Sequence, residues 1–214
     1  MTVAAIVVAG GQGARFGGPK QFERLNGDSV AAHSVRAARS VAARVILVVP
    51  EDYSGTGEGA DIIVAGGPSR ASSVRAGLTQ CGEADVIVVH DAARPAASAN
   101  LFESVVEAVR SGADAAIPGL AITDTVKRVE RLGVELVVRA TVARSDLVTV
   151  QTPQAFRREV LVRAHERADD ATDDAALVEA LGAHVVVVAG ENDNIKITGP
   201  GDLSRVAALV RNSQ

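Results

Sequence analysis

Several function classes are disfavoured by what this chain lacks. It has one cysteine, Cys81, in 214 residues, which rules out an intrachain disulfide and a multi-cysteine metal site. Cys81 reads as a small buried side chain or a bystander at a helix end. Basic excess is also missing. Lys plus Arg number 22 against 26 Asp plus Glu, a formal charge of −4, whereas a duplex-binding surface carries a positive surplus. Nucleic acid is therefore not the expected partner. Long apolar runs are absent too: stretches such as Val185 to Ala189 fall far short of the ~20 residues needed to cross a bilayer. The amino terminus enters an apolar segment with no basic region or cleavage site. A soluble, cytoplasmic protein is expected.

The hydrophobic pattern alternates short β-branched runs with alanine-rich amphipathic segments. Val3–Val8, Val45–Val49, Ile62–Ala65, Val86–His90, Ala115–Pro118 and Val185–Ala189 read as strands. Several are apolar throughout, as when helices cover both sheet faces. Helices are predicted over 29–42, 71–80, 99–111, 157–168, 173–181 and 202–210, with Asp173 and Asp202 near helix starts, where carboxylates suit the dipole. The fold class is α/β, a doubly wound, mostly parallel, Rossmann-like sheet forming a single domain over 1–214. Ligands are expected at the carboxyl ends of the strands. One segment breaks the alternation. Residues 125–131 and 134–139, joined through Leu132-Gly133, read as a β-hairpin within an arm of about 121–145. A two-stranded ribbon is marginal alone in water, so it must pack on something, either its own domain or a second chain.

Residues 8–20 carry the most information. The segment Val8-Ala9-Gly10-Gly11-Gln12-Gly13-Ala14-Arg15-Phe16-Gly17-Gly18-Pro19-Lys20 follows the first strand. Glycines there let backbone N–H groups approach a polyanion, and Arg15 and Lys20 add fixed positive charge. The two common nucleotide loops are excluded by single positions. A dinucleotide G-x-G-x-x-G would need glycine where Phe16 stands, and a G-x-x-x-x-G-K-[ST] loop is broken by Pro19. The pattern instead resembles the G-x-G-x-R…P-K signature of nucleotidyltransferases.

Other segments add chemistry. Gly66-Gly67-Pro68-Ser69-Arg70-Ala71-Ser72-Ser73 follows a strand and opens a helix. It suits either a tight capped turn or the reading of a base edge, where a cytosine amino group can meet a carbonyl. His90-Asp91-Ala92-Ala93-Arg94-Pro95 ends a very apolar strand. A carboxylate and a guanidinium there serve a ligand or each other, while His90 reads as a buried structural histidine. Gln151 to Gln154, Thr172-Asp173-Asp174 and Asp193 to Thr198 complete the set.

In this order, the glycine loop, HDAARP at 90–95, DTVKR at 124–128, TPQ at 152–154 and DNIK at 193–196 resemble the 2-C-methyl-D-erythritol 4-phosphate cytidylyltransferase family. The likeness runs from Val3 to about Leu203. It implies transfer of CMP from CTP to 2-C-methyl-D-erythritol 4-phosphate in the non-mevalonate isoprenoid pathway. CTP would lie on Ala9, Gly10, Gly11, Gly13, Gly67, Ser73, Asp91 and Ala92, with Arg15, Lys20 and Lys196 as catalytic cations. Arg94, Thr152, Thr172 and Lys196 would line the acceptor side. Thr125 and Arg144 would reach across a homodimer formed through the hairpin arm. The resemblance also implies Mg²⁺, for which Asp91 and Asp193 are the candidate carboxylates. Position 10 is Gly where the family often has Ala. Ribitol 5-phosphate is the close alternative acceptor.

Overall fold

A computed structural model describes residues 1–11, 16–167, 171 and 173–211. Three expected site residues, Gly13, Arg15 and Thr172, lie outside the described set. Strand β1 (Val3–Val8) leads past a single 3-10 turn (Lys20–Phe22) and a two-residue ladder, β2 (Arg24–Leu25) with β3 (Asp28–Ser29), into helix α1 (Val30–Ala38). β4 (Arg44–Val49), β5 (Ile62–Ala65), α2 (Arg70–Leu78), β6 (Val86–Asp91), α3 (Ala99–Arg110) and β7 (Ala115–Ala121) follow in alternation. The hairpin of β8 (Val126–Leu132) and β9 (Glu135–Val142) comes next. Then come β10 (Val148–Val150), β11 (Gln154–Arg157), α4 (Arg158–Arg167), α5 (Asp174–Glu179), β12 (Val185–Ala189) and α6 (Pro200–Arg211).

The strands of the main sheet are ordered β12-β7-(β10/β11)-β6-β1-β4-β5, and β10 and β11 run along the same side of β7. The β1–β4, β1–β6, β4–β5 and β7–β12 pairs are parallel; β10 and β11 pair antiparallel with their neighbours. The sheet is thus α/β and mostly parallel, with an antiparallel insertion that local patterning did not announce. Alternation along β1 explains the two cores, because successive side chains leave opposite faces of a strand. Val3, Ala5 and Val7 join α1 and α3 in one apolar cluster, and Ala4 and Ile6 join Val74, Leu161 and Val178 from α2, α4 and α5 in the other. Gly77 of α2 is needed for this contact, since a Cβ there would stand 2.6 Å from Ile6.

Helix starts are fixed by side-chain caps. Ser29, Ser69 and Ser98 hydroxyls and the Asp173 carboxylate each accept from an amide in the first turn of α1, α2, α3 and α5. The chain steps outward from β1 to β4 and β5, then returns through α2 to β6 on β1's other side. The strand order therefore reverses between β1 and β6, where open α/β sheets hold ligands.

The hairpin is built differently. β8 and β9 pair with each other and, among the described residues, with no other strand. A register irregularity falls between Arg128 and Val129, and Gly133 turns the chain at φ +63°. Val129, Leu132, Val134, Leu136 and Val138 are all exposed, Val134 to 95%.

Candidate active site

Two cavities meet at the strand-order reversal. The larger, about 510 Å³, lies between the ends of β1 and β6 and the start of α2. Its walls include Ala9, Gly10, Gly11, Lys20, Gly67, Ser73 and Ala93. The smaller, about 170 Å³, is lined by Arg94, Gln151, Thr152, Gln154 and Asp173. Arg70, Asp91 and Lys196 line both and form the seam. A trough of about 800 Å³ continues from Gly10, Gly11 and Gly67 past Pro50 and Glu51. A separate groove of about 590 Å³ between α1 and α3 carries Glu103 and Glu107; it has no glycine cradle, and its carboxylates suit an anion poorly.

The glycine loop is braced from below. The Gln21 side-chain amide donates to the Ala9 carbonyl at 2.6 Å and the Gly11 carbonyl at 2.9 Å. Ala9 N–H donates to the Val48 carbonyl at 2.7 Å. Both Ala9 backbone groups are thereby engaged, which makes Gly10 and Gly11 the better ligand-facing positions. Gly67 is space-limited, since a Cβ there would sit 2.3 Å from Ser72 Oγ, whereas one on Gly10 would meet Ser73 Oγ at an ordinary 3.4 Å. Ser73 Oγ donates to the Ser69 carbonyl at 2.9 Å. Ala92 lies behind the wall: its amide donates to the Val8 carbonyl and its carbonyl accepts from Ser34, so Ala93 takes its expected place on the cavity.

Asp91 is the electrostatic centre. Lys196 Nζ lies 2.6 Å from Asp91 Oδ2 and Arg70 Nε 3.4 Å from Oδ1. Burial works to raise this carboxyl, but the ammonium and guanidinium overcome it and hold the group well below the usual carboxylate range. The pairing is therefore with Lys196 and Arg70, not with Arg94. Arg94 instead donates to the Asn194 carbonyl at 2.8 Å, and its buried Nε has no hydrogen-bond partner. Burial lowers its pKa from the ordinary guanidinium value.

Behind Asp91, the Thr152 hydroxyl accepts from Asp91 N–H at 3.0 Å and faces His90 Nδ1 at 3.2 Å. His90 Nε2 faces the Arg94 carbonyl at 3.2 Å. A carbonyl only accepts, which assigns the ring proton to Nε2 and leaves Nδ1 to accept from Thr152. Burial brings the His90 pKa down to about 4, so the ring is neutral near pH 7. The histidine is structural, as expected.

The remaining expected residues are more dispersed. The β8–β9 register pairs Val126 with Val142, which brings Thr125 and Arg144 to the same open end of the hairpin, both exposed and lining neither cavity. Asp193 is exposed and also lines neither. Among the described residues no group of three or more His, Cys, Asp or Glu is placed to hold a metal ion. With Asp91 already paired to two cations, the Asp91–Asp193 pair does not fit a protein-built Mg²⁺ site.

Several site residues went unassigned in the sequence. Arg70 bridges Asp91 and Asp174, Gln154 Nε2 donates to Asp173 Oδ2 at 3.1 Å, and Gln21 shapes the loop. Arg70 had one available signal. It is the first residue of α2, where a cation opposes the helix dipole, and only a carboxylate partner makes that placement favourable.

Comparison with known proteins identifies relatives along nearly the whole chain. A family model described as 2-C-methyl-D-erythritol 4-phosphate cytidylyltransferase matches residues 3–212. A protein of that name from Streptomyces avermitilis is 43% identical, over 97% of this chain and 91% of its own. One from Rhodococcus jostii is 45% identical, over 97% and 95%. The crystal structure of the Thermus thermophilus protein of the same name superposes with a TM-score of 0.84 at 34% identity, covering 99% of this chain and all of that one.

Proposed function

The chain belongs to the 2-C-methyl-D-erythritol 4-phosphate cytidylyltransferase family, and from that premise we propose how its residues divide the reaction. It is a nucleotidyltransferase of the non-mevalonate isoprenoid pathway. It transfers CMP from CTP to 2-C-methyl-D-erythritol 4-phosphate and releases pyrophosphate. CTP occupies the larger cavity, its phosphates toward Gly10, Gly11 and Lys20, with Gly67 and Ser73 at the base. The acceptor occupies the smaller cavity beside Arg94 and Thr152. The observation that carries this reading is the seam, where Lys196, Arg70 and Asp91 border both compartments.

The acceptor's phosphate oxygen attacks the α-phosphorus of CTP as the bond to pyrophosphate breaks. A phosphate monoester has a second pKa near ~6 and is mostly dianionic at pH 7, so no general base is required. That agrees with a neutral, fully engaged His90 and with an Asp91 already paired to Lys196 and Arg70. The difficulty is repulsion between two polyanions, and fixed cations aimed at the developing charge are the effective remedy. Lys20 serves the triphosphate, with Arg15, outside the described residues, assigned to the same role. Lys196 stands at the junction. Mg²⁺ would travel with the triphosphate, whose oxygens suit it, because the described residues offer no cage of their own.

The enzyme works in the cytoplasm as a homodimer. The exposed apolar residues of β8 and β9 bury themselves on a second copy, and Thr125 and Arg144 complete that copy's acceptor site. No helix among the described residues is long and apolar enough to cross a membrane. The test is pyrophosphate release from each of the four NTPs with either methylerythritol phosphate or ribitol 5-phosphate. CTP with methylerythritol phosphate should dominate by at least a hundredfold. Comparable turnover of ribitol phosphate would move the acceptor assignment.

A further inference from the structure

Arg70 reaches two carboxylates on different elements. Its Nε lies 3.4 Å from Asp91 Oδ1 at the tip of β6, and its Nη1 lies 2.6 Å from Asp174 Oδ2 in the first turn of α5. Asp174 is fully buried and lines neither cavity, so its charge touches no ligand. The residue before it, Asp173, caps α5 and receives Gln154, which lines the acceptor cavity. A continuous set of charged and polar contacts therefore runs from the nucleotide floor through one guanidinium to the acceptor wall. Asp174 already has a second partner, since His165 Nε2 lies 2.9 Å from its other oxygen.

We propose that Arg70 is a positioning residue, a two-carboxylate clamp that fixes the α5 wall of the acceptor cavity against Asp91 and keeps Asp91 paired when Lys196 turns to the acceptor phosphate. The proposal rests on the functional reading above and adds the residue that couples its two compartments. A planar fork can span two carboxylates, while a single ammonium cannot hold both geometries.

The test uses the full chain with Arg70→Met, Arg70→Lys and Asp174→Asn. Backbone hydrogen exchange over residues 173–182, without substrates, should quicken at least tenfold in all three, with β1 and β6 unchanged. In steady-state assays the KM for methylerythritol phosphate should rise at least fivefold while the KM for CTP stays within threefold. Adding Asp174→Asn to Arg70→Met should change little further, within twofold, because one contact has already been lost. Full rescue by Arg70→Lys, unchanged exchange in α5, or multiplying effects in the double variant would overturn the clamp. Should Arg70→Met fail to fold, Arg70→Lys and Asp174→Asn decide the question alone. An unaltered enzyme with no turnover would refute the functional reading, and the exchange measurement would still decide the clamp.

Discussion

The cavity floor and the β8–β9 hairpin solve opposite problems with opposite materials. The floor is made of strand ends whose side chains vanish into two cores, and its polar groups answer one another: Asp91 to Lys196 and Arg70, Thr152 to His90, Gln21 to the loop carbonyls. The hairpin has no core. Its contacts are cross-strand, such as Arg139 with Glu130 at 2.7 Å and Lys127 with Thr141 at 2.6 Å, and most of its large apolar side chains are exposed. A self-satisfied region keeps its geometry in a lone chain, whereas a surface presenting unburied Leu and Val is of the kind that marks an interaction site.

That contrast can be broken or sharpened by experiment. The largest effect is expected on the floor: Lys20→Ala should lower kcat at least a hundredfold, about 3 kcal/mol of barrier or more, with the fold retained by circular dichroism. Turnover within tenfold of the parent would remove Lys20 from the chemistry. Next comes pH. His90 is neutral when folded, with a pKa of about 4 against 6.5 in the open chain. Above pH 6.5 both forms are deprotonated and nothing is lost. Between 6.5 and 4 the unfolded chain binds the proton first, so stability falls as acid is added, by about 3 kcal/mol in total. Denaturant midpoints that stay flat across that window would contradict a buried neutral His90. The hairpin, being exposed, should contribute no such slope.

Smaller effects belong to the arm. Leu136→Asp with Val138→Asp should give monomers by light scattering and raise the acceptor KM about tenfold, since both side chains are more than half exposed in one chain. Mixing Lys20→Ala chains with Arg144→Ala chains should then restore about a quarter of parental activity, because half the dimers are mixed and each has one intact crossed site. No recovery would return Arg144 to its own subunit. Smallest is Lys196→Ala, expected to raise KM for the acceptor more than for CTP; the reverse order would exchange the two compartments.

Much of this was legible because it is local. Val3–Val8, Ile62–Ala65 and Val185–Ala189 are strands at the expected limits, being β-branched runs too short for helices. The hairpin could be read from its alternation and Gly133. Asp173 is a cap, as its place before an apolar segment suggested. β10 and β11 were missed because the stretch from Val148 to Arg157 becomes strand only by pairing with β7 and β6, some thirty to seventy residues earlier. The seam was hidden for the same reason. Asp91 was visible as a strand-end carboxylate, but its partners Arg70 and Lys196 lie 21 and 105 positions away. Gly13, Arg15 and Thr172 rest on motif likeness alone.

Gln21 has a consequence for affinity. By holding the Ala9 and Gly11 carbonyls with one amide group, it fixes the orientation of those peptide planes before any nucleotide arrives. Part of the entropy that an anion would otherwise have to remove from the cradle is then already gone. Gln21 also reaches the wall of the larger cavity, so shortening or charging that side chain would weaken CTP capture chiefly by loosening the peptide planes it holds.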